Sequence, residues 1–570
     1  ADLEGAPRVE LETASSFFDK AVADIDDPAV WVGELYLELH RGTYTTQAAT
    51  KKGNRTGELA LREAELWASL APRPWSAYPT ERLDRAWKML LLHQFHDIIP
   101  GSGIHWVYED TARDHAQVAA EAGAVIDDAI AALAAAIDTA GLSSPVVVLN
   151  PLSHDRTGIV SLPRYARDEP LVAIGSDGER SPVQVAEDGA LLFRASVPSC
   201  GHSVYDLVTG AGDPPPGSEL AVDERGLDNS RLRVRWDDDG LLTSVWDKSA
   251  DREVLAPGAR GNVLQLFEDY PNFYDAWDVD RFTLEHPVDL TTLDELAVTE
   301  RGPHRASVRM TRSFGESRVT QTISLSAGSS RVDFVTAVDW HESRRLLKVA
   351  FPVDVRSQRA SYEIQYGHVE RSTHANTSWD LARFEVCAQR WADLSEPGYG
   401  VALLNDCKYG YDIQGNVMRL SLLRAPGWPD PQADRGTQRF TYALLPHPGD
   451  LRDGRVVEAG HELNVPLRAV PTASHTGQQP RRASFLQVDR PGVVVDAVKK
   501  AEDTDSLVVR LYEAYGQRGA ARLTCAAPVA AARRVDLLER EQEQLEPDND
   551  GSIPLKLRPF EIVTLLLELA

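Results

Sequence analysis

His93, His96 and Asp97 lie within Leu90 to Ser102, a stretch reading LLLHQFHDIIPGS. Side chains three apart on a helix stand roughly 60° apart, so His93 and His96 could share a cation. A catalytic metal needs three or more protein ligands, so the remainder would have to come from elsewhere in the protein. His96 and Asp97, as helical neighbours about 100° apart, would instead meet different partners. The setting of the pair is apolar. Leu83, Trp87, Leu90, Leu91, Phe95 and Ile98 form one face, Met89 and Leu92 lie opposite with His96, and from Met89 onward Asp97 is the only formal charge. Pro100-Gly101 stops the run. A helix apolar all round is buried all round, so a helix is expected from near Glu81 to Pro100, carrying the pair into protein or a cleft. A carboxylate buried there needs a metal, an Arg or sugar hydroxyls beside it. The alternative is an Asp97 exposed beside the Pro-Gly turn and a histidine satisfied in the core.

A second cluster, Phe267 to Phe282 (FEDYPNFYDAWDVDRF), sets Glu268, Asp269, Asp275, Asp278 and Asp280 among Tyr270, Phe273, Tyr274 and Trp277. Aromatic rings stack on the C–H faces of sugars while carboxylates take their hydroxyls. The same pattern also describes an acidic loop whose rings cover a core. A third stretch, Gly367 to Asp380, holds His368, Arg371 and His374 and reads as loop structure.

These clusters depend on two kinds of scaffold. Residues from about 14 to 140 read as mostly helical. A short helix opens at Ser15, and Trp31 to His40 reads as strand or extended chain. Asn54 or Thr56 is expected to cap a helix in which Leu59, Leu66, Trp67 and Leu70 recur at helical spacing. A long Ala-rich helix follows, from about His105 to Ala140. Short connections make these antiparallel neighbours in a bundle. After Gly141 the period changes to short β-branched runs: Val146 to Asn150, Ile159 to Pro163, Leu191 to Val197, Leu232 to Trp236, Val308 to Thr311 and Val332 to Val338. Pro471 to Arg482 reads as a linker, and Leu507 to Leu511 and Ile562 to Leu567 as strands of a last unit. The expected fold is multidomain α+β: a segment 1–27, a helix bundle 28–142, a large antiparallel β-sandwich 143–470 and a small C-terminal β-sandwich 483–570.

With 570 residues the chain exceeds a single hydrophobic core. A net charge of −26 argues against nucleic acid and anionic membranes, and leaves neutral sugars and metal cations as compatible partners. Four cysteines without a CxxC spacing give no thiolate metal site and suit a reducing compartment. No apolar run reaches the ~18 residues of a membrane span, and no signal peptide is evident, so a cytoplasmic location is expected. The chain begins at Ala1 rather than Met, which leaves room for an upstream portion. Walker, GxGxxG, HExxH and GxSxG motifs are missing from the sequence in the contexts they need.

Glu34 to Arg55 (ELYLELHRGTYTTQAATKKGNR) followed by LLLHQFHDIIPGS resembles the middle helical domain of glycoside hydrolase family 38, the α-mannosidases. Val146 to Gly158, Glu268 to Asp280, Leu347 to Val355, Ser421 to Asp434 and Tyr442 to Asp450 resemble that family's C-terminal domains. The resemblance implies a retaining, divalent-metal-dependent α-mannosidase that uses Zn2+ or another divalent ion. His96 would be the last metal ligand, Asp97 a substrate contact, and Asp275 and Trp277 weaker carry-overs as sugar contacts. Family members often have a second His where this chain has Phe95, which offers no ligand. Tyr44 or Arg41 could face the same cleft. The nucleophile, the acid/base and the other ligands belong to an N-terminal α/β domain that this stretch does not match. The segment alone is therefore expected to be inactive, with an α-mannoside as substrate, its own N-terminal catalytic domain as partner, and homo-oligomers possible in the family. The alternatives are a non-catalytic carbohydrate-binding or scaffold protein, and a glycosidase for another α-linked sugar.

Overall fold

The structure, a computed structural model, describes residues 4–163, 169–210, 212 and 219–570. It divides into two units, Ala1–Leu37 and Glu38–Ala570. The first carries one helix, α1 (Ala14–Asp24), whose N-cap Thr13 accepts from the Ser16 amide. No regular element occupies 29–37, and a 3-10 turn covers Glu38–His40. The extended run expected over Trp31 to His40 is therefore not a strand: no partner edge pairs with it among the described residues.

In the second unit three helices pack together: α2 (Ala48–Leu70), α3 (Thr80–His93) and α4 (His105–Ala136). Leu61, Leu66 and Trp67 of α2 meet Leu83 and Leu90 of α3 and Val118, Val125 and Ile126 of α4 in one core. That core continues into Val493, Val495, Val509 and Leu565, so the bundle rests on the C-terminal sheet.

Two helix boundaries differ from expectation. Asn54 and Thr56 lie inside α2, which starts at Ala48 because its free N–H groups are capped from far away, as described below. α3 ends at His93, where the Gln94 amide reaches back to the Leu91 and Leu92 carbonyls. The apolar run beyond it is not a buried rod, for Leu91, Leu92 and Phe95 are exposed. Periodicity measures composition around an axis, and here the outer side of that axis faces away from the core.

Beyond Ile137 the chain is mainly β, with short helices at Ser378–Ala382 and Val456–Asn464, and every pairing between named strands among the described residues is antiparallel. Pro145–Asn150 pairs with Arg468–Pro471 and Gly201–Thr209, which closes the first sheet across more than 300 residues of chain. A nine-stranded sheet contains Val332–Trp340, whose burial alternates residue by residue as a one-sided strand requires. Against it lies a six-stranded sheet in which Val263–Glu268, Arg345–Pro352 and Val417–Arg424 are neighbours. Arg345–Pro352 is buried through nearly its whole length, as a central strand covered on both faces must be. The last unit has a three-stranded and a five-stranded sheet. Residues 537–538 form a turn between Val529–Val535 and Glu541–Leu545. No disulfide joins the four cysteines among the described residues.

Candidate active site

The His-Asp pair occupies a turn. After α3, the Phe95 amide bonds to Leu92, the Ile98 and Ile99 amides to Phe95, and the Gly101 amide to Ile98. This coil turns His96 and Asp97 outward, with 75% and 59% of their side-chain surfaces exposed. His96 Nε2 lies 3.2 Å from Asp97 Oδ2, and the Phe95 ring packs on the imidazole at 4.2 Å. The expected burial and the expected divergence of the two side chains are thus both corrected. Both followed from helical geometry, and the helix has already ended.

His93 does not join His96. It is buried, bonded to Asp114 at 2.8 Å and packed on His115 at 5.2 Å between ring centres. Among the described residues no group of three His, Cys, Asp or Glu is arranged to hold a metal. One exposed imidazole supplies one ligand, so these residues alone do not make a metal centre.

The turn is fastened from below. Lys51, buried in α2, donates to the Ile99 carbonyl at 2.8 Å and to the Thr46 carbonyl. Gly101, at φ +87°, packs so closely on Thr46 that a Cβ would overlap its carbonyl. Thr46 donates in turn to the Ala276 carbonyl at 3.1 Å, next to Trp277 in the aromatic-acidic loop. The Gly42 amide bonds to the Trp277 carbonyl at 2.7 Å.

That loop and its neighbour grow from one end of adjacent strands. Glu268 pairs with Arg345, and Leu346 with Arg424, so 269–280, Arg344 and 425–434 emerge side by side. Arg424, with no exposed surface, is their hub. Its guanidinium donates to Asp269 at 2.7 Å, to Thr46 Oγ1 at 3.0 Å and to the Ala276 and Asp278 carbonyls. Burial pushes the Asp269 carboxyl upward while Arg424 pulls it back. Arg41 is buried too, 3.2 Å from Asp278 and over the Phe384 ring, and is therefore structural. Asp434 caps α2 from the other side of the chain, accepting from the Gln47 amide at 3.1 Å and the Ala48 amide at 2.6 Å. Gln47 Nε2 donates to Asp430 at 2.8 Å, and His105, the first residue of α4, stands 3.2 Å from the same carboxylate.

Asp275 is engaged: its Oδ2 lies 2.9 Å from Arg344 Nη1, an ion pair without an aligned N–H. Trp277 is half-buried, with Trp428 at 5.5 Å and Tyr274 at 6.2 Å between ring centres. Tyr270, Phe273, Tyr274 and Trp428 are exposed. His368 and Arg371 are packed elsewhere, against Trp391, Phe560 and Tyr362. Lys51, Arg424, Trp428, Asp430 and Asp434 were not singled out as site residues from the sequence; their one signal is that they fall within Glu34 to Arg55 and Ser421 to Asp434, stretches that carry the family resemblance. A cavity of about 760 Å3 between the α2–α3 connection and the C-terminal sheets shares no lining residue with these loops.

Three family profiles match the chain: "Alpha mannosidase middle domain" over 38–133, "Glycosyl hydrolases family 38 C-terminal domain" over 227–432, and "Glycosyl hydrolases family 38 C-terminal beta sandwich domain" over 492–565. Alpha-mannosidase 2C1 of Homo sapiens is 40% identical over 100% of this chain and 54% of its own length. Alpha-mannosidase G of Dictyostelium discoideum is 34% identical over 99% and 55%, and a Saccharomyces cerevisiae alpha-mannosidase 32% over 97% and 50%. The chain thus spans about half the length of these relatives. A crystal structure of an alpha-mannosidase from Enterococcus faecalis V583 shares the fold, with a TM-score of 0.82 at 19% identity over 97% of this chain and 72% of that one.

Proposed function

We propose, from the premise that this chain carries the middle and C-terminal domains of the family 38 glycosyl hydrolases, that it completes the active site of a retaining, divalent-metal-dependent α-mannosidase. The substrate would be a terminal α-linked mannose of an oligosaccharide. The observation carrying the reading is the outward turn of His96 and Asp97 on a surface braced by Lys51 and by the Trp277 loop.

In this reading His96 gives one ligand to Zn2+ or another divalent ion. Asp97 accepts sugar hydroxyl protons, and Trp277 offers a ring face. Asp275 enters with Arg344 attached, an ion pair that presents a hydroxyl with an acceptor and a donor together. The nucleophile, the acid/base and the remaining ligands come from a catalytic domain outside these residues. The divisions at 27, 142, 470 and 483 are proposed as domain limits; the return of Arg468–Pro471 to Pro145–Asn150 supports those at 142 and 470. A cytoplasmic location fits four cysteines that form no disulfide among the described residues. A non-catalytic carbohydrate-binding role is the second reading, favoured by the exposed rings of Tyr270, Phe273, Tyr274 and Trp428.

Turnover of an aryl α-mannoside by residues 1–570 alone is the direct assay. None is expected. Chelator-sensitive hydrolysis by this segment would overturn the division of the site between two portions.

A further inference from the structure

Between α2, α3 and the C-terminal five-stranded sheet lies a cavity of about 620 Å3, within the usual range of small-molecule sites. Four guanidinium groups (Arg55, Arg62, Arg390 and Arg510), two ammonium groups (Lys499 and Lys500) and five carboxylates (Glu58, Glu65, Asp84, Asp496 and Glu502) line it. Arg390 is paired with Glu363, Lys499 with Glu502, Lys500 with Asp505 and Asp84 with Lys88, which leaves Arg55, Arg62, Arg510, Glu58, Glu65 and Asp496. Among the described residues none of the six is paired with an opposite charge. Their hydrogen bonds go to neutral groups instead. Arg55 donates to the Tyr409 hydroxyl and the Asn464 amide oxygen, Arg62 to three backbone carbonyls, and Arg510 to Thr564. Glu58 accepts from Asn54 and Gln94, Glu65 from the Trp87 indole, and Asp496 from Tyr366. Arg55 is 97% buried, its own exposure being 3%, yet its Nη2 has no hydrogen-bond partner.

A buried donor without an acceptor is costly and points to something that supplies one. The charge pattern restricts what that is. Among the groups without an ion pair, an anion would meet three carboxylates, a cation three guanidinium groups, and an apolar molecule all six. A hydroxyl both donates and accepts, so a polyol satisfies the two kinds of wall at once. The Trp87 ring adds an apolar face of the kind that sugars cover.

We propose that this cavity binds a neutral saccharide unit. The proposal rests on the α-mannosidase reading only for the identity of the sugar, which would be a further residue of an oligosaccharide. Gln94, two positions before His96, stands in its wall.

The test is calorimetric titration of the 570-residue chain with mannobiose, and separately with inorganic phosphate. Saturable mannobiose binding is expected, weakened about tenfold by Glu65→Gln or Arg510→Gln, as loss of one charge-assisted hydrogen bond implies. His96→Ala should leave it unchanged, and phosphate should not compete. Gln389→Ala, a neutral change in the same wall, is expected to give the same loss if either charge variant fails to fold. Absent binding, binding unaltered by the wall variants, binding abolished by His96→Ala, or competition by phosphate would each overturn the proposal. Hydrolysis is a separate readout: binding here without turnover by this chain joined to a catalytic domain sinks the mannosidase reading alone, and turnover without binding here sinks this proposal alone.

Discussion

The ammonium of Lys51 and the carbonyl of Ile99 lie 2.8 Å apart, and this bond ties the turn bearing His96 to the first turns of α2. Lys51 lies far from His96 in sequence, yet it connects the first turns of α2 to the turn that presents the imidazole. Lys51→Met leaves two carbonyls, those of Thr46 and Ile99, without a donor. The expected result is local loosening, seen as faster amide exchange over 95–101 by tenfold or more, about what one lost buried hydrogen bond implies. Equal exchange in both proteins would remove Lys51 from this role.

Arg424 is the connection on the β side. Its removal strands Asp269 without a partner in a site with no solvent, and breaking a buried pair this way costs about 3–5 kcal/mol. Arg424→Leu should therefore be among the most damaging single changes in the chain. Arg424→Lys is expected to recover only part of the loss, since one ammonium does not reach the four acceptors that the planar fork serves. Denaturant unfolding of the two variants measures both effects, and equal stability of Arg424→Leu and the parent would refute them.

Two glycines separate space from conformation. Gly101→Ala places a Cβ against Thr46 at a positive φ, and a loss of roughly 2 kcal/mol or more is expected from combined strain and displacement. Gly123, in the middle of α4, has open space around its missing Cβ. Gly123→Ala should stabilise by up to ~1 kcal/mol, the difference in helix propensity. Thermal unfolding of the pair is the check, and opposite signs are expected.

Glu65 carries a pH signature. Burial pushes its carboxyl up to about 7, opposed by Lys499, the Trp87 indole and Arg510, with Glu502 adding to the rise. Its pKa is higher folded than unfolded, so the folded state holds the extra proton between about pH 4.5 and 7. The stability it contributes is present below that window and lost as pH rises through 7. Glu65→Gln removes the dependence. Urea unfolding at pH 5 and pH 8 should show the variant gaining on the parent at the higher pH, by ~1–3 kcal/mol. A difference of the opposite sign would contradict the assignment.

The β strands were legible because one-sided burial writes itself as alternation: Leu191–Val197 and Leu232–Trp236 appear with the limits that their residues suggest. The starts and ends of the helices were not. α2 begins where Asp434 reaches it from 386 positions away, a cap that no local pattern encodes. α3 ends at His93 although its apolar pattern runs on, because apolar residues mark burial or an uncovered surface equally well. His96 and Asp97 were found by residue type and by resemblance. Their outward turn, their mutual contact and the long-range bonds of Arg424 and Lys51 belong to tertiary structure, and only the folded chain shows them.

The account stands or falls on the imidazole of His96. The decisive measurement is bound metal and aryl α-mannoside turnover by this chain joined to a family 38 catalytic domain, compared between the parent and His96→Ala. The account expects weaker metal retention and a loss of turnover together, with the variant still folded by thermal unfolding. Metal content and rate both equal to the parent would contradict it.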